Sequence, residues 1–231
     1  MIAGDLITRS LEKVGEKDLA PVYYTAAKAL SAANEAQRVF CLLTLCLEKS
    51  APLNLAAGTS FYHVQDTFSD FLVPLRVART ADGSRIRPST LDDLNAISQS
   101  WQLSPGDPEK YAMAGFDFFM VYPRPAADGT SVTITYAHMP ARMVVAGSAI
   151  EIPDEYHESL VDYAVYRMRL QEGGQEFLKV IPLYQRFMAA AAKEAEYVRT
   201  RRQKQDYDRL PFELAKWLAQ QAKQAEADSG E

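Results

Sequence analysis

The sequence predicts an α+β protein that is mainly α. Its helical body consists of an N-terminal helix pair and two long C-terminal helices, with an inserted β-hairpin region and an extended C-terminal arm. Apolar residues recur at helical spacing over residues 2–49 and 154–200. They alternate at strand spacing over about residues 53–145. The chain beyond residue 200 is too poor in apolar residues for a core of its own. We therefore expect one domain over residues 1–200 and an arm over residues 201–231.

The N-terminal pair is expected as a short amphipathic helix over residues 2–13 and a long helix over residues 24–49. Leu6, Ile7 and Leu11 give the first helix one apolar face. The second is rich in alanine, which favours helix and permits close contact with a neighbouring helix.

Turn signals organise the β region. Asp82-Gly83 lies between two alternating runs and predicts a hairpin. Thr90 is placed to cap a short helix that ends near Ile97. Asp128-Gly129 lies between the alternating runs 116–120 and 132–136 and predicts a second hairpin.

The segment from Ile150 to Phe177 is the most informative part of the chain. Pro153 favours a first helical turn, and the polar side chains that follow fall on one narrow stripe. A helix that is apolar around the rest of its circumference is usually buried on more than one side, so one of its partners is expected to be another subunit. The candidates for packing between subunits are Tyr156, Leu160, Tyr163, Tyr166 and Arg167. Gly173-Gly174 ends this helix, and Pro182 is expected to kink the next one or to mark its true start.

Composition excludes several classes of protein. The 231-residue chain carries a net charge of −5, which disfavours a general nucleic-acid binder. No apolar run approaches the length that a membrane span needs, and no signal peptide is evident. Cys41 and Cys46 are expected to be reduced thiols of a cytoplasmic product, on different faces of one helix and badly placed to bridge.

Sequence motifs for catalysis or cofactor binding are absent. The chain lacks the glycine-rich phosphate loop, the dinucleotide fingerprint, the nucleophile elbow and the zinc-protease motif. Glu155, His157 and Glu158 do not converge as metal ligands on a helix, and His157 is expected to be partly exposed. We therefore predict no enzyme, no metal and no cofactor.

Two basic runs are candidates for docking. Four arginines bracket the Asp82-Gly83 turn and either protect a solvated hairpin edge or contact an acidic partner or the DNA backbone: Arg76, Arg79, Arg85 and Arg87. A second run either lies on an exposed helix end or docks on an acidic surface: Arg199, Arg201, Arg202 and Lys204. Trp217 on the sparse arm is a candidate interface anchor.

An ordered set of short segments over about residues 1–200 resembles the head-to-tail adaptor (connector) proteins of tailed bacteriophages. In chain order, after the alanine-rich helix pair, the segments are Leu53–Thr59, Pro74–Val77 with Asp82-Gly83, Ser89–Leu94, Trp101, Gly106–Pro108, Tyr111, Val121–Pro125, Tyr136–Pro140, and the stretch from Pro153 through Tyr156, Leu160, Asp162–Ala164 and Arg167 to Gly173–Phe177.

This resemblance implies a structural virion protein, made in the host cytoplasm and placed in the neck between capsid portal and tail. It implies a homo-oligomeric ring, usually twelve-fold, that extends the DNA channel and offers a platform to a downstream tail or nozzle protein. Double-stranded DNA would pass without sequence specificity, and no membrane is involved. The arm would reach the portal protein through Phe212, Trp217 and Leu218, together with the second basic run.

Three other readings stay open. The first is another tail-completion or stopper component, which would share the β insertion but lack the long helical body. The second is an enzyme with no recognisable motif. The third is a bacterial regulatory or DNA-binding protein, which the acidic charge and the lack of a recognisable recognition helix disfavour.

Overall fold

The computed structural model describes residues 1–15, 23–115, 117–172 and 176–204. The helices are α1 (Ala3–Val14), α2 (Ala26–Thr44), α3 (Val64–Thr67), α4 (Leu91–Ile97), α5 (His157–Arg169) and α6 (Glu176–Lys204). The strands are β1 (Glu48–Leu55), β2 (Phe61–His63), β3 (Phe71–Arg79), β4 (Arg85–Pro88), β5 (Pro105–Gly106), β6 (Lys110–Ala114), β7 (Phe118–Tyr122), β8 (Arg124–Pro125) and β9 (Thr130–His138). No helix in the described ranges is both long and apolar enough to cross a membrane.

The described elements fall into two compact units. The helical unit is built from Met1–Leu47 and Met139–Gln203 and contains α1, α2, α5 and most of α6. The sheet unit is built from Glu48–His138 and contains all nine strands. Each unit buries its own set of large apolar side chains, with Phe40, Leu160 and Phe187 in the first and Ile86, Ile134 and Tyr136 in the second.

Local signals set the helix ends of the helical unit. The Asp5 carboxylate accepts a hydrogen bond from the Ile2 N–H at 3.1 Å at the start of α1. The Thr25 hydroxyl accepts one from the Lys28 N–H at 3.2 Å at the start of α2. α2 ends where Leu45 adopts a left-handed conformation with φ of 53°. The prediction that this helix continues to residue 49 is wrong, because the apolar run around Leu45 carries no sequence signal that separates its helical part from the strand that follows.

The sheet unit is organised around a seven-stranded sheet with the order β1-β9-β3-β4-β6-β7-β2. Side chains alternate across each strand, so one face collects the apolar residues into a core. The largest members of this core are Phe68, Phe71, Ile86, Tyr111, Phe119, Ile134 and Tyr136. Pro52 lies in β1 at one edge of the sheet, which is the position in a sheet where proline is tolerated.

The predicted fold class is wrong. The β region is a seven-stranded sheet that forms a compact unit, rather than a small hairpin insertion in a helical body. The two C-terminal helices are not both long, because α5 has 13 residues and α6 has 29. Pro182 lies inside α6 and does not mark its start.

The two predicted hairpins have different outcomes. The hairpin at Asp82-Gly83 is confirmed, since Val77 pairs with Ile86 and Gly83 has a φ of 70°. The hairpin at Asp128-Gly129 is wrong, because β9 pairs with β1 and β3 whereas β7 pairs with β2 and β6. Alternation identifies a strand but does not identify its partner, and here the partners come from distant parts of the chain.

Candidate assembly surfaces

Helix α5 lies at the centre of the helical unit. It packs against α1 and α2, and its aromatic side chains meet those of α6, with 4.6 Å between the ring centroids of Tyr163 and Phe187. Tyr156, Leu160 and Tyr163 are buried within the chain. Tyr166 and Arg167 are half-buried. Much of the apolar circumference of α5 is therefore covered by the subunit's own helices, and contact of these five side chains with a neighbouring subunit stays a prediction.

A polar junction joins α2 to α5. The Arg167 Nε donates to both carboxylate oxygens of Glu35, at 3.0 and 2.9 Å, and the Tyr163 hydroxyl donates to Glu35 at 3.1 Å. Burial and the Glu35 charge raise the pKa of Tyr163, so its hydroxyl stays a donor. Hydrogen bonding to Glu35 raises the pKa of Arg167. Arg167 therefore already has a strong carboxylate partner inside the subunit.

A charged cluster joins α1, α5 and α6. Asp162 is buried and accepts from Lys13 Nζ at 3.0 Å and from Arg186 at 2.9 and 3.2 Å. Glu158 accepts from the same lysine at 2.6 Å and from Arg9 at 3.1 Å. These bonds link the three helices, and they give a buried carboxylate the hydrogen-bond partners without which its burial would be costly.

The residues considered as metal ligands serve a structural role instead. His157 is buried, so the expectation that it is partly exposed is wrong, and its Nε2 lies 2.7 Å from the Ile152 carbonyl oxygen. Its Nδ1 lies 3.3 Å from Asp154, and Glu158 is occupied by Lys13 and Arg9. Among the described residues, no group of three or more His, Cys, Asp or Glu side chains is placed to hold a metal ion.

Three of the four hairpin arginines share one face of the sheet. Arg76 on β3 and Arg85 and Arg87 on β4 alternate with the buried Val77 and Ile86, so their side chains point away from the apolar core. We call these three residues, with the hydroxyl residues beside them, the arginine face. Arg76 and Arg87 are exposed, and no carboxylate in the described chain forms an ion pair with either.

Hydroxyl side chains line the same face on β1, on β9 and directly after the end of β3. The Ser50 and Thr135 hydroxyls lie 2.8 Å apart across β1 and β9, and those of Thr80 and Thr133 lie 3.0 Å apart. Arg79 lies outside the arginine face. Its Nε donates to the Pro108 carbonyl oxygen at 3.2 Å. The face combines exposed guanidinium groups with hydroxyls, which is chemistry suited to an anionic surface.

The second basic run is largely occupied inside the helical unit. Arg199 donates to Glu196 at 2.5 Å, one turn earlier on α6. Arg202 is buried and donates to the Leu45 carbonyl oxygen, and Arg201 lies close enough to Glu194 to act on its charge. Docking by these three residues stays a prediction. The Lys204 side chain and the arm residues Phe212, Trp217 and Leu218 lie outside the described residues.

Sequence reasoning missed two exposed apolar sites in the helical unit. Val144 and Val145 are 69% and 61% exposed at a loop tip, and Leu178 on α6 is 69% exposed. The loop is held against α1 by a hydrogen bond of 2.7 Å from the Gly4 N–H to the Ala146 carbonyl oxygen. Two β-branched residues directly before Ala-Gly-Ser were the available signal, since that composition predicts an exposed turn rather than a strand.

These two sites lie at opposite ends of α5. The Met1 amino group lies 3.6 Å from Asp154, which places the start of α1 and the valine loop beside the beginning of α5. Tyr184 meets Tyr166, with 4.9 Å between ring centroids, so α6 runs antiparallel to α5 and Leu178 lies toward its end. We call the first site the valine tip and the second the Leu178 end.

The valine tip and the Leu178 end expose apolar side chains, but separate exposed side chains occur on most proteins and do not by themselves define a class. Comparison with known families does define the class: the family model described as SU10 adaptor protein matches residues 1–214. The chain therefore belongs to the SU10 adaptor protein family, a family of phage head-to-tail adaptors. It is a phage structural adaptor protein. Among curated proteins, none matches the chain.

Proposed function

We propose that this protein forms a ring in the neck of the virion, between the portal vertex and the tail. The ring extends the DNA channel and gives the next tail component its docking platform. The match of the adaptor family over residues 1–214 carries this proposal. We take the ring to be twelve-fold, as the resemblance to connector proteins implies.

The position of the two apolar sites supports a ring. A cyclic ring needs a heterologous contact, in which one patch of a subunit meets a different patch of the next. The valine tip and the Leu178 end are two such patches on one helical unit, and each exposes large apolar side chains. In the ring, the valine tip of one copy would pack on the Leu178 end of its neighbour.

Reconstruction of the intact particle tests the placement. The expected result is a ring of this chain directly below the portal. Density that places the chain on the capsid lattice or at the tail tip would overturn the proposal. A position below a separate adaptor ring would favour the alternative of a stopper or tail-completion component.

Substitution of the ring contacts tests the interface. Val145→Asp and Leu178→Asp should each abolish ring formation on the portal while leaving the monomer folded, because each puts a charge into an apolar contact. Leu103→Asp is the matched control, since Leu103 is 64% exposed but belongs to the sheet unit. Equal loss with Leu103→Asp would show that the assay reports general insolubility. Normal rings with both test variants would exclude this contact.

The arm is proposed to dock on the portal. A chain that ends after Asp206 should keep its circular dichroism spectrum and melting temperature but lose capture by immobilised portal protein. In the full chain, Trp217→Ala should weaken capture at least tenfold, the effect of losing an interface hot spot of about 1.4 kcal/mol or more. Gln220→Ala is the control on the same arm. Capture of the truncated chain at wild-type strength would exclude portal docking by the arm.

The arginine face is proposed to contact the backbone of the DNA that passes through the channel. Arg76 and Arg87 are exposed and have no ion pair within the described chain, so both can neutralise phosphates. The double variant Arg76→Gln, Arg87→Gln should bind short duplex DNA more weakly at low salt, for any sequence. Arg142→Gln removes an exposed arginine of the helical unit and serves as control. An unchanged salt dependence in the double variant would exclude this role.

A further inference from the structure

The loop that carries the valine tip is held in place by a side chain of α2. This loop spans residues 139–149 and contains no helix or strand. The Asn34 Nδ2 donates to the Met143 carbonyl oxygen at 2.9 Å, and the Asn34 Oδ1 accepts from the Met143 N–H at 2.8 Å. One amide thus pairs with both backbone groups of one residue, as a neighbouring strand would. We call these two hydrogen bonds the Asn34 clamp.

The amide in this clamp has one workable orientation. The Asn34 Nδ2 also donates to the Leu30 carbonyl oxygen at 3.0 Å, one turn earlier on α2. Its hydrogens therefore go to two carbonyl oxygens, and its own oxygen accepts from an N–H. Turning the amide around would set Oδ1 against both carbonyl oxygens. The side chain is thus bonded to its own helix and to the loop at the same time.

The loop keeps its two valines in water. Met143 is 1% exposed, whereas Val144 and Val145, which follow it, are 69% and 61% exposed. The Ser148 hydroxyl accepts hydrogen bonds from the N–H groups of both valines, each at 3.2 Å. Burial of an apolar side chain is favourable, and these backbone bonds keep the loop from turning the valines inward.

The first turn of α1 binds the same loop. The Ala3 N–H donates to the Ser148 carbonyl oxygen at 2.9 Å, and the Gly4 N–H donates to the Ala146 carbonyl oxygen at 2.7 Å. N–H groups in a first helical turn have no acceptor within the helix, so the loop supplies one. Glycine permits this approach, because a Cβ at residue 4 would lie 3.2 Å from the Ala146 carbonyl oxygen. The shape of the loop is therefore set within one subunit.

We propose that Asn34 is a positioning residue for ring assembly. It fixes the valine tip, before any contact forms, in the shape that packs on the Leu178 end of the next copy. The inference rests on the proposed function. Asn34 is half-buried and acts through Met143, the residue directly before the two valines. A loop that is already ordered loses less conformational entropy when it binds, so fixing the tip strengthens the contact.

Hydrogen exchange in the isolated chain tests the clamp. In Asn34→Ala, amide exchange over residues 139–149, measured by mass spectrometry, should rise about tenfold or more and approach that of an unstructured segment, because no strand pairing remains to hold the loop. Exchange in α2 should not rise, since alanine favours helix more than asparagine does. Ser31→Ala, at an exposed position of the same helix, is the matched control. Unchanged exchange over residues 139–149 in Asn34→Ala would overturn the proposal.

Asn34→Asp tests whether the amide acts as a donor to the loop. At pH 7 the new carboxylate accepts from the Met143 N–H but faces the Met143 and Leu30 carbonyl oxygens with no hydrogen to donate. Protonation supplies that hydrogen. The slow exchange of the wild type, measured at each pH, should therefore be lost at pH 7 and at least partly regained at about pH 4. A defect of equal size at both pH values would overturn the role of the amide.

Assembly on the portal separates this inference from the proposed ring contact. Asn34→Ala should raise the concentration of chain that gives half-maximal ring formation by about fivefold or more, because only chains with an ordered tip can dock. Val145→Asp should abolish rings, and Ser31→Ala should leave them normal. Normal assembly of Asn34→Ala, with none of Val145→Asp, would overturn positioning by Asn34. Normal rings with both variants would instead exclude the ring contact, and the exchange result would then still decide whether Asn34 holds the tip.

Discussion

The helical unit and the sheet unit use different contacts to hold their elements together. Aromatic rings on three helices meet around Phe187, with 5.9 Å to the Phe40 centroid and 4.6 Å to that of Tyr163. Charged pairs such as Asp162 with Arg186 hold the helix surfaces. The sheet unit depends on ladder pairing between strands far apart in sequence, such as Glu48 with Ala137.

This difference shows how the two units respond to change. In the helical unit each helix is local, and the long-range contacts come from a few large side chains. In the sheet unit the backbone hydrogen bonds that form the sheet are themselves long-range contacts. A single truncation in the helical core should therefore damage one unit while the other keeps its own core.

The largest expected effect comes from the helical core. Phe187→Ala removes a fully buried ring and should lower the free energy of unfolding of the helical unit by about 3–5 kcal/mol. Urea unfolding followed by far-UV circular dichroism should show an earlier helix transition. The fluorescence of Trp101, which is buried in the sheet unit, should keep its midpoint when measured in a Trp217→Phe background.

Leu178→Ala is the matched control on the same helix. Leu178 is 69% exposed, so its truncation should change stability by no more than about 0.5 kcal/mol in the monomer. If Phe187→Ala moves the helix and Trp101 transitions together, the two units unfold as one cooperative system and the contrast between them fails.

The next effect tests the sheet unit through Asp70. The carboxylate accepts from the buried Tyr136 hydroxyl and from Lys49 Nζ, each at 3.1 Å. Burial opposes ionisation, but these bonds outweigh it and lower the pKa of Asp70. Asp70→Asn should cost about 1 kcal/mol at pH 7.

The pH dependence of that cost has a definite sign. A carboxyl with a lowered folded pKa stabilises the fold above its unfolded pKa of about 3.9, and the contribution is lost as pH falls through the folded pKa. The difference between wild type and Asp70→Asn should therefore fade below about pH 4. Asp66→Asn, an exposed acid-to-amide change nearby, is the control and should show no such difference. A constant difference down to pH 3 would argue against the charged bonds.

The same contrast explains what the sequence predicts and what it does not. Signals within a few residues held: Thr90 caps α4 by accepting from the Asp93 N–H at 3.1 Å, and Asp82-Gly83 forms its hairpin. The pairing of strands could not be predicted from the sequence. The strand that follows Asp128-Gly129, β9, pairs with β1 and β3, which lie earlier in the chain, and not with the strand before the turn. The end of α2 at Leu45 could not be predicted either, because the residue with positive φ there is not a glycine.

For the candidate surfaces too, features set by neighbouring residues could be predicted, and contacts between distant parts of the chain could not. The arginines of one hairpin were identifiable because they bracket a single turn, and three of them do share a face. The sequence could not show that Arg79 binds the Pro108 carbonyl oxygen or that Arg202 is buried against Leu45, since each contact crosses a long stretch of chain. It also could not show which residues of α5 its own subunit covers.

The last effect we predict concerns Glu194, whose dependence on pH is opposite to that of Asp70. Glu194 is buried on α6, and burial raises its pKa although the nearby Tyr156 hydroxyl acts in the opposite direction. A carboxyl with a raised folded pKa binds its proton more tightly in the fold, so stability is greatest below the unfolded pKa of about 4.3 and falls as pH rises through the folded pKa. Glu194→Gln should therefore stabilise the helical unit by roughly 1 kcal/mol at pH 8 and by nothing at pH 4.

Glu196→Gln is the control for Glu194→Gln, because it makes the same chemical change at an exposed position of the same helix. Its carboxylate is 60% exposed and paired with Arg199, so its loss should change stability by less than about 0.5 kcal/mol at any pH. Chemical denaturation of the three proteins between pH 4 and pH 8 measures all of these differences. A gain at pH 8 in both variants would trace the effect to net charge, because the chain as a whole is acidic. A gain in Glu194→Gln alone, with Asp70→Asn losing stability at the same pH, would show that the two units respond to pH in opposite directions.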